Sequence, residues 1–320
     1  MRTLVTGGAG FIGSNLVDAL VARGDDVLVL DDLSTGRERN LEAAIGSGAR
    51  LVRCDLVDAE RVTAEATGFG PDAVFHLAAQ ADVRKAVADP ALDARVNVIG
   101  TVNLLEAARA AGGAPVVYAA TGGAVYGEGE GAELPFPEAA PARPGTGYGA
   151  SKLAGEIYVG LYRRLHGMAG VSLRFANVYG PRQDPHGEAG VVAIFCGRLL
   201  AGEAPTVYGD GRQTRDYVYV DDVVDALLRS AGAVTGPGTA PEGPLNIGTG
   251  VEASVLDLLD VLLPLAPQPV EPAFEPGRTG EVQHVSIDPA LAGEVLGWEP
   301  RVSLEEGLRR TLDSVREAAG

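Results

Sequence analysis

The chain has 320 residues, of which 46% are hydrophobic, so it can bury a large core and is long enough for two lobes. Its 26 basic and 43 acidic residues give a formal net charge of −17 at pH 7, which argues against nucleic acid or an anionic membrane as a partner. Cys54 and Cys196 lie far apart, which argues against disulfides and cysteine metal sites, and the histidines show no metal-ligand spacing.

A dinucleotide-binding turn is predicted at the start of the chain. An apolar strand at residues 2–6 leads into Gly7-Gly-Ala-Gly10-Phe-Ile-Gly13, and residues 14–23 follow as a helix. Glycines let the backbone approach a pyrophosphate, and the helix N-terminus presents N–H groups to the anion. A strand in this place argues against a signal peptide, and no apolar run approaches the ~18 residues of a membrane span, so we expect a cytoplasmic protein.

A second strand, at residues 26–30, ends at Asp31, 18 residues after Gly13, close to the spacing of about 20 in dinucleotide-binding units. An acid in this place accepts hydrogen bonds from the adenine ribose hydroxyls and repels a 2′-phosphate, so the sequence favours NAD over NADP. Arg37 and Arg39 lie close by and leave that preference open.

Further apolar strands alternate with helical stretches at residues 51–54, 73–77, 116–119 and 171–175. This alternation predicts an α/β fold of the Rossmann type, a doubly wound parallel sheet with helices on both faces. Ligands of such sheets bind beyond the carboxyl ends of the strands, where the chain places Gly7, Asp31, Asp55, Ala78, Thr121 and Asn177.

After about residue 176 the sequence pattern changes from alternating strands and helices to loops rich in glycine and proline. This change predicts a smaller C-terminal substrate-binding lobe. We therefore expect an NAD-binding domain over residues 1–176, to which residues about 214–248 return. The second lobe is expected mainly over residues 177–320.

A tyrosine and a lysine stand four residues apart in Tyr148-Gly-Ala-Ser-Lys152, and Lys152 is one of only two lysines in the chain. On a helix, residues i and i+4 share a face, so the ammonium can lie beside the phenol. A cation about 4 Å away, at an effective dielectric constant of about 20, contributes roughly 4 kcal/mol, enough to bring the phenol pKa from about 10 toward neutrality. The pair therefore predicts that Tyr148 acts as a general base.

Taken together, these motifs resemble the extended short-chain dehydrogenase/reductase superfamily, and within it the UDP-glucose (UDP-galactose) 4-epimerases. The resemblance also rests on the segments Asp31-Asp-Leu-Ser-Thr-Gly36, Cys54-Asp-Leu56, His76-Leu-Ala-Ala79, Asn97-Val-Ile-Gly-Thr101, Thr121-Gly-Gly-Ala-Val-Tyr-Gly127, Arg174-Phe-Ala-Asn-Val-Tyr-Gly-Pro181 and Arg215-Asp-Tyr-Val-Tyr-Val-Asp221. It implies NAD-dependent epimerisation at C4 of a nucleotide-sugar, UDP-glucose or UDP-galactose and in addition the N-acetyl forms, through a transient 4-keto intermediate. It also implies a homodimer in which helices starting near Leu92 and Tyr148 form a four-helix bundle, with burial inside one chain as the alternative for those helix faces.

The same resemblance implies the site residues. Those expected to bind NAD are Gly7, Gly10, Phe11, Ile12, Gly13, Asp31, Asp32, Ser34, Thr35, Gly36, Asp55, Leu56, Leu77, Ala78, Ala79, Asn97, Tyr148 and Lys152. Those expected to bind the nucleotide-sugar are Thr121, Tyr148, Asn177, Val191, Tyr208, Arg215, Arg278, Glu281 and Val285. Within the second group, Asn177, Arg215 and Arg278 are expected to hold the diphosphate, Tyr208 to lie near the uracil and Glu281 to touch a ribose. No metal is expected.

The catalytic residues implied are Thr121, Tyr148 and Lys152, and here the chain departs from the better-known pattern. Counted back from Tyr126, the usual catalytic hydroxyl falls at Gly122. Thr121 therefore hydrogen-bonds the reacting oxygen, or water takes that role.

The C-terminal region carries a prediction about the sugar. The resemblance places Val285 where a large tyrosine excludes a 2-N-acetyl group, with His284 and Ser286 as the neighbouring alternatives. Since valine is smaller, the pocket is expected to accept UDP-N-acetylglucosamine as well as UDP-glucose.

Other functions compete with this interpretation. A nucleotide-sugar dehydratase needs an acid pair for proton shuttling, which in the related family directly follows the active-site threonine, whereas this chain has two glycines there. A uronate epimerase or decarboxylase stays open, because Arg84, Lys85 or Arg182 are available to meet a carboxylate. A non-enzymatic NAD(H)-sensing protein is the alternative from another class, and the intact Tyr148–Lys152 pair argues against it. His76 is expected to be a core histidine at a strand end.

Overall fold

A computed structural model describes residues 1–127, 133–185, 190–236, 241–277 and 282–319. Its strands are β1 (Arg2–Thr6), β2 (Asp26–Asp31), β3 (Arg50–Arg53), β4 (Ala73–His76), β5 (Val116–Thr121), β6 (Gly170–Phe175), β7 (Asn177–Tyr179), β8 (Thr206–Tyr208), β9 (Thr214–Tyr219), β10 (Pro244–Ile247), β11 (Glu252–Ser254) and β12 (Ala273–Glu275). Its helices are α1 (Phe11–Ala22), α2 (Glu42–Gly46), α3 (Ala59–Phe69), α4 (Val83–Ala88), α5 (Pro90–Ala94), α6 (Gly100–Ala110), α7 (Gly122–Val125), α8 (Gly147–His166), α9 (Val191–Leu200), α10 (Val220–Thr235), α11 (Val255–Leu262), α12 (Ala290–Leu296) and α13 (Leu304–Ala319). A π-helical turn at Arg95–Ile99 joins α5 to α6, and short 3-10 turns lie at Glu38–Leu41 and Leu263–Leu265.

The central sheet has seven strands in the order β10-β6-β5-β4-β1-β2-β3, all of them parallel. Successive residues of a strand point to opposite faces, so Leu4 packs into one core and Val5 into the other. Helices α1 and α10 cover the face of Val5, while α3, α6 and α8 cover the face of Leu4. The predicted doubly wound Rossmann-type fold is confirmed.

Strand register aligns the carboxyl ends that carry the motifs. Thr6, the last residue of β1, pairs with Leu30 on one side and with His76 on the other. On the far side of β4, Thr121 pairs with Phe175. The segments that follow β1, β2, β4, β5 and β6 therefore leave the sheet along one edge, at the switch in strand order where such folds bind ligands.

The second lobe is assembled from small sheets and helices. Strand β9 pairs with β7 and β11, and β8 pairs with β12. Helices α9, α11 and α13 enclose a separate core with Tyr179 and Phe195. Of residues 214–248, α10 and β10 lie on the central sheet, whereas β9 lies in the three-stranded sheet. The boundary near residue 176 stays a prediction.

Candidate active site

The turn between β1 and α1 leaves no room for side chains at its glycines. Gly7 has φ +70°, and a Cβ there would lie 2.5 Å from the Ala78 nitrogen and 2.7 Å from Ala78 Cα. A Cβ at Gly13 would overlap the Gly7 carbonyl oxygen and lie 2.8 Å from Gly8 Cα. The turn is therefore in backbone contact with the loop after β4 on one side and with the start of α1 on the other, and the first N–H groups of α1 are open to an anion. This cradle fits the diphosphate of a dinucleotide.

Asp31 ends β2 beside this turn, and its buried carboxylate has a fixed orientation. Oδ2 accepts a hydrogen bond from the Ala9 N–H at 2.9 Å, and Oδ1 accepts one from the Leu33 N–H at 2.9 Å. Burial raises the pKa of Asp31, and the two N–H groups oppose that shift. A Cβ at Gly36 would lie 2.8 Å from Oδ1, so the glycine keeps that carboxylate oxygen accessible. The remaining lone pairs fit a ribose diol, which matches NAD.

Two of the cations that left the cofactor and the substrate open, Arg37 and Arg182, have acidic partners. Arg37 Nη2 lies 3.0 Å from Oδ2 of Asp184, in the loop after β7. Arg182 in the same loop pairs with Asp18 of α1. The charge of Arg37, close to Asp31, is thus shared with a carboxylate from the second lobe, and Arg182 is drawn toward α1.

His76 ends β4 in the core. Its Nδ1 lies 2.8 Å from Thr6 Oγ1, and its Nε2 lies 2.8 Å from Thr101 Oγ1. The Thr6 hydroxyl accepts from the Ala78 N–H and the Thr101 hydroxyl donates to the Asn97 carbonyl, so Nδ1 accepts and Nε2 donates. Burial lowers the pKa of His76 to about 3, which keeps it neutral. As predicted, it is a core histidine, and it connects β1 to α6.

Tyr148 and Lys152 lie in the first turns of α8, which Thr146 caps by accepting a hydrogen bond from the Gly149 N–H at 3.1 Å. Lys152 is 3% exposed, and its Nζ stands 4.4 Å from the centroid of the Tyr118 ring. Burial lowers the pKa of Lys152 to about 7, and the carboxylate of Asp93 opposes the shift.

The expected direction of the phenol shift is wrong for the protein alone. Burial raises the pKa of Tyr148 to about 12, although the residue keeps partial access to solvent, and the Asp93 carboxylate acts in the same direction. The sequence argument weighed only the Coulomb attraction of Lys152. It left out the cost of moving a phenolate out of water, which here is the larger effect.

Thr121 ends β5 at the N-cap position of α7, and its side chain makes no capping hydrogen bond there. At Gly122, where the resemblance places the usual hydroxyl, a Cβ would lie 2.7 Å from Ile287 Cδ1 and 3.2 Å from Ile287 Cγ2. Ile287 is fully buried. A serine at residue 122 therefore does not fit without movement of Ile287, which leaves Thr121 as the hydroxyl at this strand end.

A buried carboxylate in β9 fixes the segment that contains Val285. Asp216 accepts hydrogen bonds from the N–H groups of Thr249 at 2.8 Å, Gly250 at 3.1 Å and Ile287 at 3.3 Å. Val285 is 2% exposed and lies two residues before Ile287 in an extended segment. The C-terminal segment thus passes directly beside the end of β5, close to Thr121.

The remaining predicted residues divide between the two lobes. The sheet edge carries Phe11 and Ile12 at the start of α1, Asp32, Ser34 and Thr35 after β2, Asp55 and Leu56 after β3, and Leu77, Ala78 and Ala79 after β4. The second lobe carries Asn177 at the start of β7, Val191 at the start of α9, Tyr208 at the end of β8 and Arg215 in β9. Arg278 and Glu281 lie outside the described residues.

Asn97 is engaged within the protein, and its neighbour Asp93 was missed by the sequence analysis. The Asn97 amide accepts from the Gln80 N–H and donates to Asp93 Oδ1 and to Ser151 Oγ. Asp93 is 1% exposed. A regular helical spacing gives no dependable signal for it, because Asn97 lies in the π-helical turn at Arg95–Ile99.

Two further searches cover the described residues. No group of three or more histidine, cysteine or acidic side chains there is arranged to hold a metal ion. None of the helices in the same ranges combines the length and apolar character needed to cross a membrane.

Comparison with known proteins places this geometry among nucleotide-sugar enzymes. Residues 3–248 match the NAD dependent epimerase/dehydratase family. The UDP-glucose 4-epimerase of Mycolicibacterium smegmatis is 50% identical over 317 residues, 99% of each chain. The crystal structure of the Thermotoga maritima UDP-glucose 4-epimerase with UDP-glucose superimposes with a TM-score of 0.94 at 43% identity over 100% of both chains. The Thermus thermophilus UDP-glucose 4-epimerase complexed with NAD gives 0.89 at 44% identity, covering 99% of this chain and 100% of that one.

Proposed function

Because this chain belongs to the NAD dependent epimerase/dehydratase family, we propose that it interconverts UDP-glucose and UDP-galactose by inverting C4 of the sugar. It is an NAD-dependent epimerase of the extended short-chain dehydrogenase/reductase type, which acts through a 4-keto intermediate. The 50% identity to the Mycolicibacterium smegmatis UDP-glucose 4-epimerase, over nearly all of both chains, carries the choice of UDP-glucose.

Tyr148 carries the proton chemistry. Its phenolate takes the C4 hydroxyl proton as the C4 hydrogen leaves as hydride, and it returns the proton to the keto oxygen after the sugar has turned over. When bound, NAD supplies the hydride acceptor, the later hydride donor and, in its oxidised form, a cationic ring. The Lys152 ammonium offsets the phenolate charge, and Thr121 Oγ1 hydrogen-bonds the reacting oxygen.

The nucleotide is the anchor in this scheme, because the sugar must present either face to the cofactor. Asn177, Arg215 and Arg278 hold the diphosphate, since arginine forks match phosphate oxygens. Tyr208 and Glu281 contact the uridine. Val285 lines the sugar pocket beside Thr121, and its small size admits the N-acetyl sugars as secondary substrates.

A UDP-uronate substrate is the second candidate. UDP-glucuronic acid decarboxylase 1 of Arabidopsis thaliana is 33% identical over 99% of this chain and 70% of its own length. The ion pair between Arg182 and Asp18 disfavours a uronate substrate, because it engages one of the three cations that could bind the carboxylate of the sugar. Arg84 and Lys85 are exposed on α4.

A homodimer through a four-helix bundle belongs to the same proposal. Helix α5, the π-helical turn and α8 expose large apolar side chains to solvent, which is typical of a surface that binds another protein. These side chains are Leu92, Ile99, Ile157 and Leu165. A second copy of these helices would cover them. Ile157→Glu places a charge in this surface, so the sedimentation coefficient is expected to fall from the value of a dimer to that of a monomer. A parent protein that already sediments as a monomer would contradict the proposal.

We also propose that the protein is a cytoplasmic enzyme of galactose metabolism, which fits its acidic charge and its use of NAD.

A panel of sugars tests the substrate assignment. Purified enzyme is incubated separately with UDP-glucose, UDP-galactose, UDP-N-acetylglucosamine and UDP-glucuronate, with dTDP-glucose and GDP-mannose as nucleotide controls, and products are separated by chromatography. UDP-glucose and UDP-galactose are expected to reach the same equilibrium mixture from either side, and Tyr148→Phe is expected to abolish the conversion. Turnover of UDP-glucuronate alone would transfer the assignment to the uronate class.

A further inference from the structure

A buried carboxylate lies behind the Tyr148–Lys152 pair. Asp93 is 1% exposed, whereas every other residue from Val87 to Arg95 is exposed. The α5 segment thus turns a single acidic side chain inward. An ionised carboxylate is costly to bury unless partners compensate its charge and its lone pairs.

Two side-chain amides donate to one oxygen of the carboxylate and connect it to the site. Oδ1 accepts from Gln80 Nε2 at 3.0 Å and from Asn97 Nδ2 at 3.1 Å. Asn97 Nδ2 also donates to Ser151 Oγ at 3.0 Å, and Ser151 Oγ donates to the carbonyl oxygen of Tyr148 at 3.0 Å. The chain of hydrogen bonds runs from the loop after β4, through Asp93, to the first turn of α8.

Amides provide hydrogen bonds but no charge, so only a cation can compensate the charge of the carboxylate. Lys152 directly follows Ser151 on α8, and its buried ammonium lies against the Tyr118 ring. Burial disfavours that ammonium, and the Asp93 carboxylate is the opposing influence that favours it.

The other titratable groups around the pair do not supply this charge. His76 of β4 is neutral, and Tyr118 of β5 and Tyr148 are phenols whose pKa burial raises. On α4, Arg84 and Lys85 are exposed to water. The carboxylates at the helix starts, Asp82 and Asp89, accept hydrogen bonds from backbone N–H groups of α4 and α5.

We propose that Asp93 is the counter-charge of the Tyr148–Lys152 pair: it keeps Lys152 in the ammonium form inside the protein and holds the first turn of α8 through Asn97 and Ser151. Asp93 is a positioning residue, because it acts on the reaction through Lys152. This role deepens the proposed function and rests on it for its catalytic meaning.

The chain makes a direct measurement possible, because it contains only two lysines, Lys85 and Lys152. NAD-loaded enzyme carrying 13Cε-lysine gives two NMR signals, and Lys85→Arg assigns them. A unit charge roughly 10 Å away at an effective dielectric constant of about 20 shifts a pKa by about one unit. Asp93→Asn keeps the size of the side chain and removes its charge, so the Lys152 signal is expected to titrate about one pH unit lower while the Lys85 signal stays in place.

Two further variants separate charge from structure. Asp93→Ser removes the charge with a smaller side chain and is expected to give the same shift if Asp93→Asn does not fold. Asp222→Asn is the matched control, because Asp222 is also buried and accepts a backbone N–H, from Val302 at 3.0 Å, but lies on α10. It is expected to leave the Lys152 signal unchanged. A Lys152 signal that titrates identically with and without the Asp93 charge overturns the proposal.

The pH profile of kcat gives the catalytic readout. Removal of a negative charge lowers the pKa of both Tyr148 and Lys152, so in Asp93→Asn both limbs of the profile are expected to move to lower pH by about one unit. A merely structural role would instead lower kcat by one factor at every pH. The NMR shift needs no substrate, so its presence in an enzyme inactive toward UDP-glucose would separate failure of the proposed function from failure of the Asp93 role.

Discussion

The close packing of Gly122 against Ile287 predicts what a serine at residue 122 would do. Its Cβ would lie 2.7 Å from Ile287 Cδ1 and 3.2 Å from Cγ2, and Ile287 is enclosed by Val125, Tyr126 and Phe136. Overpacking of this kind costs about 1–3 kcal/mol, so Gly122→Ser is expected to lower the free energy of unfolding by about 2 kcal/mol.

A second substitution supplies the room that the serine lacks. Ile287→Val removes Cδ1 and by itself is expected to cost about 1 kcal/mol as a small cavity. In the double variant the new side chain occupies that space, so the two losses are not additive. A coupling energy of about 1 kcal/mol or more is expected between Gly122 and Ile287.

Urea unfolding of the four proteins, followed by far-UV circular dichroism, measures this cycle. Gly123→Ser is the control, because a Cβ at Gly123 would lie at an ordinary 3.4 Å from Asn177 Oδ1. It is expected to show no coupling to Ile287→Val. Additive losses for Gly122→Ser and Ile287→Val would refute the steric explanation for the glycine.

The same variants test the hydroxyl. Thr121→Ala is expected to lower kcat by about 10²-fold, as loss of one hydrogen bond to the reacting oxygen does. In the Gly122→Ser/Ile287→Val background the new serine is expected to restore part of that loss. An unchanged kcat in Thr121→Ala would show that water fills the role.

Three other predictions follow from the site. Tyr148→Phe is expected to lower kcat by about 10²-fold or more with NAD binding intact, and Lys152→Arg is also expected to be damaging because the compact donor is lost; normal turnover in both would move the active site elsewhere. Asp184→Ala releases Arg37 from its exposed ion pair, which contributes about 0.2–1 kcal/mol, so calorimetry is expected to show a preference for NAD over NADP that is smaller by roughly 1.4- to 5-fold; an unchanged ratio would mean that Asp31 alone sets the preference. Val285→Tyr is expected to lower kcat/KM for UDP-N-acetylglucosamine more than for UDP-glucose, and strict rejection of the acetylated sugar by the parent would contradict the pocket assignment.

The sequence predicted the parts of the site whose geometry is set by residues close to one another in the chain. The glycine turn, Asp31 after β2 and the i, i+4 pair on α8 are local features, and the strand register brings the turn and Asp31 to one edge of the central sheet. The direction of the Tyr148 pKa shift was wrong because it depends on burial, which a spacing along a helix does not reveal.

The unpredicted contacts join residues that are distant in the chain or hidden by a local irregularity. Gly122 meets Ile287 because Asp216 of β9 and the backbone of Phe136 hold the C-terminal segment beside β5. Asp93 points inward next to a π-helical turn, a rare element that shifts the helical face by part of a turn, so a regular periodicity leaves its orientation undetermined.

Three buried carboxylates hold the backbone segments around the site through hydrogen bonds. Asp31 binds two N–H groups around the glycine turn, and Asp216 binds three from the loop after β10 and the segment of Ile287. Asp93 binds two side-chain amides next to α8. Because each carboxylate holds a different segment, neutralising one should affect one property first: cofactor binding for Asp31, substrate binding for Asp216 and the protonation of Lys152 for Asp93. Loops fixed in this way keep site groups in place before ligands arrive, which lowers the entropy cost of ordering them during catalysis.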